Sequence, residues 1–413
     1  MSLETACVGR AEAAMQPPYE GARLDEQLVA GKPAVAVQKK RPCSRDRRVL
    51  ACASGRDSES PHLLGMAAHA GTIAVAEVDA GNSWLTRPSA APDRMRVGLY
   101  DARLRQIHQT EVGLAGAAMD VDLAFVPGGW VAAVQTASGS ELIWFGEDGE
   151  EVGTRTPLGL AVNPGLAVGQ GGEVLVAYVQ GGPGERWPVM AALVEPRGQV
   201  RWTAEVFAGA IEAHFGSQVA ADDGGFFLIG RRTQDGVAVA RVERSGAVGT
   251  RHGVKSATEY ASLAWCGAEG RLVWSDFGGH AHIRGAVIDR AGQRIGEEHV
   301  LGAIPDYFNW SPVLCDGAGS LALLAGHTGG TGMSKSLDLT RIDHEHGPLP
   351  GATAVLAAEG ITAYDPRMVR LDEQRVVVGW IGVYSGTDAS QLGLAVVSAP
   401  IARERALPLS VAE

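Results

Sequence analysis

Six short clusters in this chain combine residue types that bind ligands or move protons. They are Asp120-Val121-Asp122, Asn163-Pro164, His214-Phe215, Glu259-Tyr260, Asp306-Tyr307-Phe308-Asn309-Trp310 and Tyr364-Asp365-Pro366-Arg367. Two chemistries suit them. Aromatic faces beside carboxylates, amides and a guanidinium match sugars or peptides, which offer one apolar face and several hydrogen-bonding groups. Paired carboxylates among Asp120, Asp122, Glu259, Asp306 and Asp365, with His214 as a base, match glycoside hydrolysis or elimination. The expected ligand-binding set is His214, Glu259, Tyr260, Asp306, Tyr307, Asn309, Trp310, Tyr364, Asp365 and Arg367, joined by Trp187 and His280 from neighbouring loops.

Other chemistries find less support. No Gly-x-Ser-x-Gly elbow is present, which leaves nucleophilic serine chemistry without its usual frame. Gly326-His327-Thr328-Gly329-Gly330-Thr331-Gly332 is Gly-rich but lacks the Gly-Lys-Ser/Thr that closes a phosphate loop. His280-Ala281-His282 and His344-Glu345-His346 each supply two imidazoles without a third ligand in sequence. No metal, cofactor or catalytic residue is assigned from the sequence.

The elements that must hold these clusters show themselves as a repeat. Gly-rich pairs precede apolar runs at Gly129, Gly172, Gly225, Gly270 and Gly319, spaced 43, 53, 45 and 49 residues apart. A second turn recurs later in each unit: Glu147-Asp148-Gly149, Glu195-Pro196-Arg197-Gly198, Glu243-Arg244-Ser245-Gly246, Asp289-Arg290-Ala291-Gly292 and Asp343-His344-Glu345-His346-Gly347. Gly and Asp adopt the backbone conformations that tight hairpins need, and the flanking β-branched runs read as strands. Runs such as Val237-Ala238-Val239-Ala240 lack polar alternation, as expected of strands covered on both faces.

Four antiparallel strands, A to D, in about 40–50 residues form a propeller blade. The expected fold is therefore all-β: a seven-bladed β-propeller of four-stranded antiparallel blades over 62–413, after an irregular N-terminal arm over 1–61. The chain resembles bacterial secreted β-propeller repeat proteins at the level of the repeat, best over 222–246. This resemblance implies a rigid scaffold with no fixed function. In such a scaffold the A–B and C–D hairpins lie at one end, and the B–C loops and D–A links surround the other mouth of the channel. Here both hairpin sets are short and stereotyped. The B–C loops vary, and the six clusters fall in the D–A links, so the second mouth is the expected binding face.

Charge and cysteine content refine the picture. The 413 residues carry a net charge of −11, which disfavours a nucleic-acid partner. No run of 18 apolar residues suggests a membrane-spanning helix. Residues 1–60 hold ten Lys/Arg and eight Asp/Glu, with the basic charge concentrated in 39–48; this reads as a solvated arm. Met1-Ser2-Leu3-Glu4 lacks the features of a leader peptide. A disulfide among Cys7, Cys43 and Cys52 would pin the arm and fit an oxidising compartment. Cys266 and Cys315 occupy equivalent A-strand positions and are expected to be apolar fillers rather than a bridge. The functional expectation is a secreted or envelope protein, non-catalytic, binding a glycan, peptide or protein at the channel mouth. The alternative is a carbohydrate-active hydrolase or lyase using two carboxylates of that ring.

Overall fold

The computed structural model describes residues 42–58, 62–79, 94–181, 187–196, 198–210, 218–221, 225–233, 236–255, 258–276, 282–303, 313–315, 320–326, 336–343, 347–356, 361–384 and 390–398. Contacts separate Met1–Lys40 from Arg41–Glu413, and every described strand lies in the second unit.

That unit is all β. The opening strand is Val49–Ser58 (β1). The first sheet follows as His62–His69 (β2), Thr72–Asp79 (β3), Arg94–Tyr100 (β4) and Gln106–Gly113 (β5). The second is Ala118–Val126 (β6), Gly129–Thr136 (β7), Gly139–Gly146 (β8) and Thr156–Gly159 (β9). The third is Ala161–Val168 (β10), Val174–Gln180 (β11), Trp187–Val194 (β12) and Val200–Ala210 (β13). The fourth is Gln218–Ala221 (β14), Gly225–Thr233 (β15), Gly236–Glu243 (β16) and Val248–Lys255 (β17). The fifth is Thr258–Cys266 (β18), Glu269–Asp276 (β19), His282–Ile288 (β20) and Arg294–Ala303 (β21). The sixth is Val313–Cys315 (β22), Ser320–Gly326 (β23), Ser336–Asp343 (β24) and Gly347–Val355 (β25). The chain ends in Ile361–Arg370 (β26), Arg375–Tyr384 (β27) and Ser390–Ser398 (β28).

These 28 strands pair into seven four-stranded antiparallel sheets. Inner strands touch in order, β2 to β6, β10, β14, β18, β22 and β26, and β26 returns to β2. The sheets thus close into a ring, which is the propeller arrangement. Burial follows position in the blade. Strand β7 is buried along its whole length, whereas outer strand β5 is exposed or half-buried at every position but Val112. Second strands lie between neighbouring sheets and need apolar residues on both faces; outer strands meet water and protect their free edge with charge.

Two expectations need correction here. Residues 49–58 do not belong to an arm. β1 is the outer strand of the last sheet, ordered β1-β28-β27-β26, with Cys52 opposite Ala395. The C-terminal unit supplies only three strands, and the amino-terminal segment supplies the fourth. The Cys266–Cys315 expectation also fails. Their Cα atoms lie 5.3 Å apart and the sulfurs are bonded, because adjacent inner strands converge at the hairpin end. Cys43–Cys52 forms a second bridge, its Cα atoms 6.1 Å apart. It clasps β1 to the preceding segment, whose Ser44 amide donates to the Leu356 carbonyl at 2.6 Å.

The C–D turns do more than reverse the chain. In the five that are described, the first residue's N–H donates to the fifth carbonyl, as in Glu195 to Gln199 and Asp289 to Gln293 (both 2.8 Å). The fourth residue has positive φ: Leu104, Gly149, Gly198, Gly246 and Gly292. Where the first residue is Asp, its carboxylate caps the turn, Asp289 Oδ1 accepting from Ala291 and Gln293 at 2.9 and 2.8 Å. The turns of the second to fifth sheets then dock on the preceding sheet. Thr156 donates to Gly198 O at 3.0 Å, the Trp202 indole to Arg244 O at 2.9 Å, and Arg241 to Arg290 O at 3.2 Å. His108 meets Glu150 at 2.8 Å in the same place between the first two sheets. The acidic-x-x-Gly repeat is therefore a latch between blades.

Candidate functional site

Strand order puts all A–B and C–D hairpins at one end of the ring, and the B–C loops and D–A links at the other. At the loop end the inner strands are irregular. Register shifts fall between Ala118 and Asp120, Val162 and Gly165, Thr258 and Ala261, and Tyr364 and Arg367. Four of the six clusters expected in the links thus lie in the inner strands themselves, at or next to bulges. A bulge leaves a residue unpaired and re-aims its side chain, a device common beside sites.

The expected site residues divide into three groups. Glu259 and Tyr260 lie in the β18 bulge, and Tyr364 and Asp365 in the β26 bulge; their backbone is described and their side chains lie outside the described set. His214, His280, Asp306, Tyr307, Asn309 and Trp310 lie outside the described residues. Trp187 and Arg367 have both backbone and side chain described. Trp187 opens β12 opposite Ala210 and is half-buried against the apolar cluster between the third and fourth sheets. Arg367 donates through Nε to the Leu64 carbonyl at 2.9 Å, joining the last inner strand to the first.

The best-described sector spans the second and third sheets. Asp122 Oδ2 accepts from the Leu166 amide at 2.8 Å, while Oδ1 accepts from Leu123 at 2.9 Å. Gln135 is 5% exposed, and its Oε1 accepts from the Asn163 amide at 2.7 Å. Ser140 donates to the Ala161 carbonyl at 2.6 Å. These contacts share one logic. An innermost strand has no partner on its channel side, so side chains of the neighbouring sheet complete its backbone hydrogen bonding. Asp122 and Arg367 both serve this function, which holds the mouth rigid. Met119 and Leu160, 40% and 58% exposed, add apolar surface to this rim. Sequence reading singled out the polar and aromatic members of the clusters, and so passed over Leu160 and Met119, although Met119 adjoins Asp120. Among the described residues, no three His, Cys, Asp or Glu side chains come together as a metal site.

Burial raises the pKa of Tyr100, Tyr178 and Asp338. Burial with the nearby Glu77 carboxylate pushes the Tyr100 hydroxyl up to about 12. In β24, burial lifts Asp338 to about 6. Asp338 was not singled out in the sequence, where an acid in the alternating run Ser336–Asp343 reads as an ordinary strand position.

No family model and no curated protein matches the chain. Solved structures do. The WD40 domain of Toxoplasma gondii coronin superposes with a TM-score of 0.51 at 10% identity, covering 88% of this chain and 90% of that one. A catalytically inactive virginiamycin B lyase from Staphylococcus aureus, solved with quinupristin, gives 0.52 at 12% identity, covering 83% and 98%. The fold is a β-propeller. At such identities the likeness extends to architecture alone. No helix among the described residues is long and apolar enough to cross a membrane.

Proposed function

We propose that this chain is a non-catalytic binding or scaffold propeller, exported to an oxidising compartment, that engages a glycan, peptide or protein on its loop face. One observation carries the reading: the two ends of the ring are used differently. At the hairpin end, turn after turn is spent on an inter-sheet hydrogen bond. At the loop end, connections range from residues 137–138 between β7 and β8 to residues 80–93 between β3 and β4. A rigid frame with stereotyped turns at one end and variable loops at the other is how repeat scaffolds present binding surface.

Two disulfides support the compartment, since such bridges persist where thiols are not kept reduced. The rim chemistry supports binding over catalysis. Asp122, one of the carboxylates in the hydrolase or lyase alternative, has both oxygens engaged by backbone amides. Both oxygens are thereby used in holding the frame of the rim.

A glycan array with the wild type beside a Trp310→Ala, Tyr260→Ala double variant tests the reading. Binding by the wild type that is lost in the double variant is the expected result. Binding that persists in the double variant removes these aromatics from the site. Turnover of a bound glycan would replace the binding reading with the hydrolase or lyase one.

A further inference from the structure

One position recurs in the third strand of the blades, five residues before the C–D turn begins. It is Arg96 in the first sheet, Glu141 in the second, Arg284 in the fifth and Asp338 in the sixth. Neighbours fix its orientation. Met95 and Val97 pack toward the second sheet, Leu142 toward the third and Ile283 toward the sixth. Leu337 and Leu339 pack toward the last sheet. The alternating charged position therefore faces the preceding blade in all four sheets.

In three sheets it pairs with an opposite charge on or next to the outer strand. Arg96 meets Glu111 at 3.2 Å, Glu141 meets Arg155 at 2.9 Å and Arg284 meets Glu298 at 3.8 Å. Every pair is a guanidinium with a carboxylate. The sixth sheet keeps the acid and lacks the base, for Gly347–Val355 holds no Lys or Arg. Asp338 Oδ1 is buried and has no hydrogen-bond partner. On the same face of β24, Ile342 packs with Ile283 and Leu301 of the fifth sheet. A carboxylate beside apolar side chains is costly to leave unpaired, and a guanidinium matches it best.

We propose that Asp338 receives an arginine side chain from a bound peptide or protein, which completes from outside the ion pair that three other blades make internally. Asp338 is half-buried as a residue and stands third in β24, in the half of the strand nearer the loop end. The chain's net charge of −11 favours a basic partner. The proposal rests on the binding reading and narrows it to a polypeptide bearing an arginine.

The test is a calorimetric titration of the full chain with N-acetyl-arginine amide and with its neutral isostere N-acetyl-citrulline amide. Two variants accompany the wild type. Asp338→Asn removes the carboxylate. Thr353→Arg supplies a base in cis, two residues before the Val355 that faces Asp338, the offset Arg155 and Glu298 show in their own sheets. The arginine probe should bind wild type about tenfold more tightly than the citrulline probe, and both variants should lose that difference. Equal binding of the two probes overturns the proposal, as does undiminished arginine binding in Asp338→Asn or Thr353→Arg. The array experiment stays separate: glycan binding lost in the Trp310, Tyr260 variant but kept in Asp338→Asn supports the mouth reading alone. Arginine selectivity that survives that double variant supports Asp338 alone.

Discussion

The Thr156 hydroxyl donates to the Gly198 carbonyl at 3.0 Å, across the boundary between the second and third sheets. The Trp144 indole donates in turn to Thr156 at 3.2 Å. Gly198 has φ +109°, and a Cβ there would overlap the Thr156 hydroxyl. Gly153 also has positive φ, +72°, but nothing lies within 4 Å of its Cβ position. Gly153→Ala should therefore cost only backbone strain, about 1 kcal/mol. Gly198→Ala should cost that plus the latch, about 2–3 kcal/mol. Urea denaturation of both variants checks this, and equal losses would show that the latch contributes nothing.

Hairpin glycines such as Gly172 and Gly225 made the blade repeat readable, because a tight turn admits few residue types. The first C–D turn escaped notice for the converse reason. Leu104 fills its left-handed position at φ 60°, 6% exposed in the core between the first and last sheets. Packing there outweighs a strain that turn chemistry alone would avoid. The place of β1 was hidden because Cys52 pairs with Ala395, and no local pattern reports a pairing that distant. The candidate site was legible as residue types but not as placement. A bulge such as that around Tyr364 and Asp365 depends on register with β27, which a single strand's sequence does not contain.

The disulfides differ in reach. Cys266–Cys315 closes a separation of 49 residues and Cys43–Cys52 one of 9. Chain-entropy arguments then make the longer bridge worth about 1.5 kcal/mol more. The Cys266→Ser, Cys315→Ser variant should unfold at lower denaturant than Cys43→Ser, Cys52→Ser. The reverse order would mean that clasping β1 matters more than loop length.

Truncation separates the arm from the ring. A chain starting at residue 42 retains β1 and should keep its cooperative unfolding. A chain starting at residue 62 lacks β1 and uncovers the edge of β28, where Leu394 and Val396 are 1% exposed. An open apolar edge promotes association. The shorter chain should run as aggregates on size exclusion; a well-folded monomer would show that three strands suffice to close the last sheet.

Asp338 makes a prediction about pH that needs no ligand. Burial raises its folded pKa from 3.8 to about 6, so the folded chain holds the proton more tightly than the unfolded one. Stability from this group is then fully present below about pH 4 and lost as pH rises toward 6. Above that, the ionised carboxylate is a net cost. Asp338→Asn should relieve about 1 kcal/mol near pH 7.5, allowing for solvent screening of a partly exposed group. Near pH 4 it should change little. Denaturation midpoints of wild type and variant at the two pH values give the answer. A stabilisation of the same size at both would trace it to something other than the charge, and a destabilisation near pH 7.5 would mean the carboxylate already has a partner.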